Sequence, residues 1–314
     1  MSSVRSDRPG DAARVMVYRE VVLPLVDSST NSIGFNVGAY TSVGDPLSDF
    51  RLRRSGRIET IEPPFPAHTK RVEGHSTYGG VIDFHFGHFM IETLSRLWYL
   101  ARVSYGPIIW HRQVPHDLEP WQREIFGLCG LDVARFFFVS EAVLADEIAI
   151  AEPAVVIDEY YTSFWSTSLD VFPFHSPLPG KKIWMSRSKM PADYGHVVQE
   201  VEIEQRLSSL GWTVVHPNLM TNVSFLHLIS DAETISGFAA SAYFVLLLAK
   251  NCRAKVRMVD RGGMGIPRVF EHYAMAKKVD QEIMRPKLEH VSGVGAKATF
   301  QLESIDAIIE FVNG

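Results

Sequence analysis

The sequence predicts an α/β protein of two domains, and three observations carry that reading. Short apolar runs alternate with helical stretches along most of the chain, the pattern of parallel sheets covered by helices. A chain of 314 residues, 46% hydrophobic and 21% charged, can fill two cores of ordinary size. Between two such series of elements, Pro173, Pro177, Pro179 and Gly180 break the pattern. The expected domains are therefore residues 1–176 and 177–314.

Residues 1–13 read as a polar, disordered lead. Val15, Val17 and Val21 alternate across the next stretch to Leu23 and predict a strand. From there to Thr77, Gly, Ser and Pro punctuate short pieces such as Gly34 to Val43 and Arg57 to Ile61, closed by Pro63, Pro64 and Pro66, and the section reads as β-rich. The chain is organised around the stretch from Gly79 to Tyr99. An apolar run stops at Asp83 and His85, and a helix is expected from near Gly87. At about 100° per residue, Met90, Ile91, Leu94, Leu97, Trp98 and Ala101 share one arc. His88, Glu92, Ser95, Arg96 and Tyr99 fall on the opposite one.

Pro107 to Trp110 then predicts a buried strand, Trp121 to Leu128 a helix, and Phe136 to Val139 another strand, with short strands at 147–150 and 154–157. Tyr160, Tyr161, Phe164 and Trp165 read as core or as an aromatic shelf for a sugar ring. In the second half, Lys182 to Met185 predicts a strand, Val197 to Leu210 a helix stopped by Gly211, and Trp212 to His216 a strand. A helix capped by Asn222, a strand at Glu233 to Ser236 and a buried helix at Ala240 to Lys250 come next. Lys255 to Val259 is the last clear strand and delivers Asp260 and Arg261 into a loop.

A net charge of −5 argues against a nucleic-acid-binding face. The local run Arg51, Arg53, Arg54 and Arg57 reads as a solvated surface or as a contact for phosphate or lipid headgroups. Cys129 and Cys252 form neither a disulfide framework nor a Cys-rich zinc site. The first residues lack the apolar core of a signal peptide, and the longest nearly apolar run, Phe238 to Ala249, is too short to span a bilayer. The expectation is a soluble, cytoplasmic protein, with peripheral contact to a membrane face left open.

Chemistry gathers in two places. His88, Glu92 and Arg96, spaced i, i+4 and i+8, are neighbours on one helix face. They read as a base presented to a cleft, or as a solvated stripe with a Glu92 to Arg96 ion pair. His75, His85 and the glycines at 79, 80 and 87 crowd the same entrance. In the second half, three strand ends carry Ser186 and Arg187, then Gly237, Ala239 and Ser241, then Arg261. Small residues before a helix let backbone N–H groups approach a phosphate, and two arginines can neutralise a diphosphate. The plainer alternative is that Gly237 to Ala240 permits close packing and that Arg187 pairs with Glu200.

Together these segments resemble the glycosyltransferase 61 family. The first matching motif is Gly87, His88, Phe89, Glu92 and Leu94-Ser95-Arg96-Leu97. The second is Ser186-Arg187, Gln199-Glu200, Gly211-Trp212 and Gly237 onward. The chain departs from the family pattern where a loop His-Gly falls at Ala239-Ala240 and where an Asn is replaced by Gln199; the basic residue expected before it is at best His196.

The resemblance implies a GT-B-like arrangement: two Rossmann-like domains facing across a cleft, with the nucleotide sugar on the C-terminal one and the acceptor on the other. It implies an inverting hexosyl- or pentosyltransferase that works on surface polysaccharide, with a glycan or lipid-linked acceptor. His88 or Glu92 would be the base and the other its orienter, with Asp83, His85 and Arg96 on the acceptor side. Ser186, Arg187, Gly237, Ala239, Ser241 and Arg261 would bind the donor. No Asp-x-Asp pair occurs, so neither metal nor other cofactor is expected beyond the nucleotide sugar itself. Two other functions compete: a non-catalytic sugar- or nucleotide-binding subunit, and a metal-assisted hydrolase using His85, His88 and Glu92.

Overall fold

The computed structural model describes residues 14–25, 37–54, 57–58, 64–67, 69–112, 117–263 and 265–314. The expected lead at 1–13, the start of the Gly34 to Val43 piece, the end of the Arg57 to Ile61 piece and Pro63 lie outside the described residues. The chain forms two compact units, Met1–Leu169 and Asp170–Gly314. The division precedes the proline-rich stretch because Phe172–Pro173 pairs in parallel with Ala249–Lys250, and the His175 amide donates to the Ser230 carbonyl at 2.9 Å. Among the described residues no helix is long and apolar enough to cross a membrane.

Unit 1 is built on a mixed six-stranded sheet. Its spatial order is Tyr40–Thr41, Val15–Leu23, Val143–Ala151, Lys70–Ile82, Ile108–Arg112 and Phe136–Phe138. Val15–Leu23 is antiparallel to both of its neighbours, and the other pairings are parallel. Val21, Leu23, Tyr78, Ile109, Ile148 and Ile150 are fully or almost fully buried in one cluster, and burial of such side chains contributes about 1.5–3 kcal/mol each. Lys70–Ile82 ends the irregular section and leads into the organising stretch. Gly80 lies at φ +114°, where the register against Ile108–Arg112 shifts, a conformation that favours glycine.

The single helix expected after this strand is broken into Phe86–Ile91, a 3₁₀ turn Thr93–Arg96 and a short helix Leu97–Leu100. Polar side chains and tertiary contacts take over the ladder there. The Thr93 hydroxyl donates to Val81 O at 2.8 Å and accepts from the Asp83 amide at 3.1 Å, while the Ala154 amide claims the Ser95 carbonyl at 2.7 Å. The polar arc therefore does not stay on one face, and Ser95 and Arg96 turn inward. Trp165 is core, while Tyr160, Tyr161 and Phe164 are half-buried.

Unit 2 carries an all-parallel sheet ordered Thr213–Val215, Lys182–Met185, Thr234–Phe238, Lys255–Val259 and Asp280–Met284. In chain order this is 2-1-3-4-5, a doubly wound sheet whose direction of growth reverses between Lys182–Met185 and Thr234–Phe238. Trp184, Ile203, Leu207, Phe238, Val259 and Ile308 fill its core. Gly237 allows those two strands to close up, since a Cβ there would stand 2.5 Å from Met185 O.

Several boundaries differ from expectation. The helix expected from Val197 is Glu200–Ser209, because the Val198 amide pairs with Phe300 O and the Phe300 amide with His196 O, both at 2.9 Å. Thr221, not Asn222, is the N-cap of Asn222–Ile229, its side chain accepting from the Ser224 amide at 3.1 Å. The stretch read as a buried helix is a 3₁₀ run, Ser241–Leu248, followed by the short strand Ala249–Lys250. Beyond Lys255–Val259 come Val269–Lys277, the fifth strand, the hairpin Leu288–Ser292 with Thr299–Leu302, and Ile305–Asn313.

Candidate active site

In unit 1 the end of Lys70–Ile82 and the start of Phe86–Ile91 are tied together by Asp83. Its carboxylate accepts from the His85 amide at 2.7 Å and its carbonyl from Gln122 Nε2 at 3.0 Å. One turn on, His88 and Glu92 face each other as the i, i+4 spacing predicts, with His88 Nδ1 2.7 Å from Glu92 Oε2. The basic residue completing the group is Arg54, 38 residues before Glu92. Its Nε and Nη2 donate to Glu92 Oε1 and Oε2 at 2.6 Å each, a bidentate fork.

Arg96, expected on the same stripe, is turned away. Its Nε donates to Ala151 O at 2.8 Å and its guanidinium lies 5.8 Å from the Tyr78 ring centre, so the Glu92 to Arg96 ion pair does not form. His85 is exposed, its ring 5.2 Å from that of His88. His75 lies elsewhere on the sheet, against Glu147 at 2.6 Å.

The environment fixes the charges. Burial would raise the Glu92 carboxyl, but hydrogen bonds from His88 and Arg54 outweigh it and hold the group below its usual range. The side chain is only 7% exposed. Because an ionised Glu92 can only accept, His88 Nδ1 is the donor of that hydrogen bond, and Nε2 is the ring nitrogen left for another partner.

Asp83, His88 and Glu92 each bring one ligand atom to within 4.8 Å of the others. A divalent cation would fit there rather than on the His85, His88 and Glu92 set of the competing hydrolase reading, but both Glu92 oxygens already hold Arg54 and that guanidinium would have to be displaced.

In unit 2 the strand ends bring Ser186, Arg187 and Arg261 into one cluster with Glu200. The Arg187 amide donates to Glu200 Oε1 at 2.7 Å, while its guanidinium Nη2 bonds the Tyr194 and Gly195 carbonyls at 2.9 and 3.3 Å. Pairing of Arg187 with Glu200 is thus through the backbone. Ser186 is buried, its hydroxyl on Glu204 Oε1. Arg261 donates from Nη2 to Ala296 O at 3.2 Å, and its buried Nη1 has no hydrogen-bond partner among the described residues.

Burial, and then the neighbouring Arg261, lower Arg187 to about 10. Burial pushes the Glu200 carboxyl up to about 7 despite the Arg187 amide and charge beside it. Asp260 and Glu200 support the charge on Arg261, yet its buried Nη1 is left as an unused donor among the described residues.

The remaining predicted donor residues are divided. Gly237 serves strand packing, its carbonyl bonded by Tyr243 OH at 3.1 Å. The Ala239 amide is committed to Val259 O at 2.7 Å and is not available to a phosphate. Ser241 opens the 3₁₀ run at the reversal point of the sheet. Gln199 bridges the Leu302 backbone through both amide atoms, at 2.9 Å each, so the extra methylene relative to Asn is used to tie down the C-terminal hairpin.

These features define a class: an α/β protein with parallel sheets, a histidine–carboxylate pair on one unit and an arginine cluster at strand ends of the other. The model of the glycosyltransferase 61 family matches residues 86–259, more than half of the chain. The chain belongs to that family, and its class of activity is glycosyl transfer, from a sugar donor to a glycan acceptor. None of the curated proteins compared with the chain matches it.

Proposed function

We propose that the protein is an inverting, metal-independent glycosyltransferase that moves a hexose or pentose from a nucleotide sugar to a glycan, free or lipid-linked, in surface polysaccharide synthesis. The observation that carries this reading is the oriented His88: Glu92, itself pinned by Arg54, holds Nδ1–H and leaves Nε2 as the base. His88 Nε2 takes the acceptor hydroxyl proton as that oxygen attacks the anomeric carbon. The bond from that carbon to the donor phosphate breaks on the opposite face, which inverts the configuration. Arg187 and Arg261 receive the charge that develops on the leaving diphosphate.

In this reading the two units adopt a GT-B arrangement, and the nucleotide lies at the reversal point of the unit 2 sheet, where open α/β sheets bind their ligands. The reaction takes place in the cytoplasm or against its membrane face. A second reading, a nucleotide- or sugar-binding subunit without turnover, is favoured by one observation: Ala239 stands where the family pattern has histidine, and its amide is already used.

The test is release of nucleoside diphosphate from a panel of nucleotide sugars, with glycan acceptors and with EDTA present. The proposal expects turnover that EDTA does not change and that His88→Ala abolishes. Turnover restored only by a divalent ion, or indifferent to His88→Ala, contradicts it.

A further inference from the structure

Beside Glu92, unit 1 contains a recess lined by Arg96, Tyr78, Gly80, Asp83, Glu92 and Arg51, among others. Arg96 is the unusual member. It is 7% exposed, its Nε is used by Ala151 O, and its ring contact is Tyr78. Among the described residues its two Nη groups have no hydrogen-bond partner and no carboxylate within ion-pair distance. Both carboxylates of the recess are engaged elsewhere, Glu92 by Arg54 and His88, and Asp83 by the His85 amide.

The surroundings hold this guanidinium in place and leave room in front of it. Tyr78 OH is 2.8 Å from His111 Nδ1, and His111 Nε2 is 3.0 Å from Pro24 O, so the ring beneath Arg96 is fixed from behind. A Cβ at Gly80 would stand 3.0 Å from Arg96 Nη1, so glycine keeps that side open. Asp49 supports the Arg96 charge only from beyond ion-pair distance; a buried cation without a contacting anion is costly, and a planar fork with Nη donors free is shaped for an oxyanion.

We propose that this recess is an acceptor subsite for an acidic sugar, in which Arg96 binds the carboxylate of a uronic-acid-type residue next to His88 and Glu92. The inference rests on the transferase reading for the word acceptor, but the anion site itself does not depend on turnover. A carboxylate is favoured over a phosphate because it matches the guanidinium plane and adds only one charge to a recess that already contains two carboxylates.

The test is calorimetric titration of the full chain, without nucleotide, with methyl glucuronide, methyl glucoside and glucose 6-phosphate. The glucuronide is expected to bind at least tenfold more tightly than the glucoside, with the preference lost in Arg96→Gln and kept in His88→Ala. Equal binding of glucuronide and glucoside by the wild-type chain overturns the inference even if Arg96→Gln fails to fold. Tighter binding of glucose 6-phosphate than of the glucuronide overturns the carboxylate assignment. Absence of transferase activity with the glucuronide preference intact would remove the transferase reading alone.

Discussion

The two charged clusters of the molecule are both largely buried, yet their neighbours treat them in opposite ways. In unit 1 the Glu92 carboxylate receives a bidentate guanidinium and an imidazole, so it stays ionised and fixed without any ligand. In unit 2 burial and the neighbouring Arg261 disfavour the charge on Arg187, the buried Nη1 of Arg261 lacks a partner among the described residues, and Glu200 beside them is pushed up to about 7. The contrast separates an imidazole–carboxylate–guanidinium group with its hydrogen bonds already made, proposed above as the base, from a pair of arginines with an unused buried donor, proposed above to receive the leaving diphosphate. Orphaned buried donors cost free energy until something accepts from them, which is the property a leaving-group site needs.

The contrast can be broken most sharply at His88. Replacement by Ala should lower turnover by roughly 10²–10⁴-fold, the usual contribution of a general base, with nucleotide affinity unchanged in calorimetry. Arg54→Leu should come next. It strands the Glu92 carboxylate, and thermal or urea unfolding should show a loss of about 3 kcal/mol, because breaking one side of a buried pair costs more than the pair contributes. Replacing both Arg54 and Glu92 by Leu should recover much of that stability while leaving the protein inactive.

The two units should also weaken at opposite ends of the pH range. Glu200 has a folded-state value of about 7, above its unfolded 4.5, so its contribution is full below about pH 4.5 and is lost as the pH rises through 7. His111 is held down to about 4 by burial, so its contribution is full above about pH 6.5 and is lost as the pH falls through 4. Each shift is worth up to about 3 kcal/mol. Glu200→Gln should therefore raise the melting temperature relative to wild type at pH 8 and change it little at pH 5. The smallest effect is expected for Arg187→Ala, which should weaken nucleoside diphosphate binding by about 2 kcal/mol.

How far the sequence could be read depended on whether structure was local. Lys182–Met185 was legible as a buried strand because Ile183, Trp184 and Met185 are consecutive and apolar, and Lys255–Val259 because Val256, Met258 and Val259 form a short apolar set interrupted only by Arg257. The His88 and Glu92 pair was legible because the i, i+4 spacing brings the side chains together within one helical turn. Arg54 was not, because it reaches Glu92 from the two-residue strand Arg53–Arg54, which has no periodicity to mark it.

The helix break at Thr93 was equally hidden, since the groups that cause it, Val81 O and the Ala154 amide, lie on other segments. The inward turn of Arg96 is a consequence of that break. In unit 2 the reversal of the sheet could be inferred only once strand order was known, and the use of Gln199 only once Leu302 was seen beside it. Long-range hydrogen bonds decided each of these points.

The most direct test of the division of labour is calorimetric titration of UDP and the other common nucleoside diphosphates, in EDTA, into the wild-type chain, His88→Ala and Arg187→Ala. One of them is expected to bind the wild-type chain and His88→Ala equally, and Arg187→Ala at least tenfold more weakly. Binding that disappears with His88 and survives the loss of Arg187 would contradict that division.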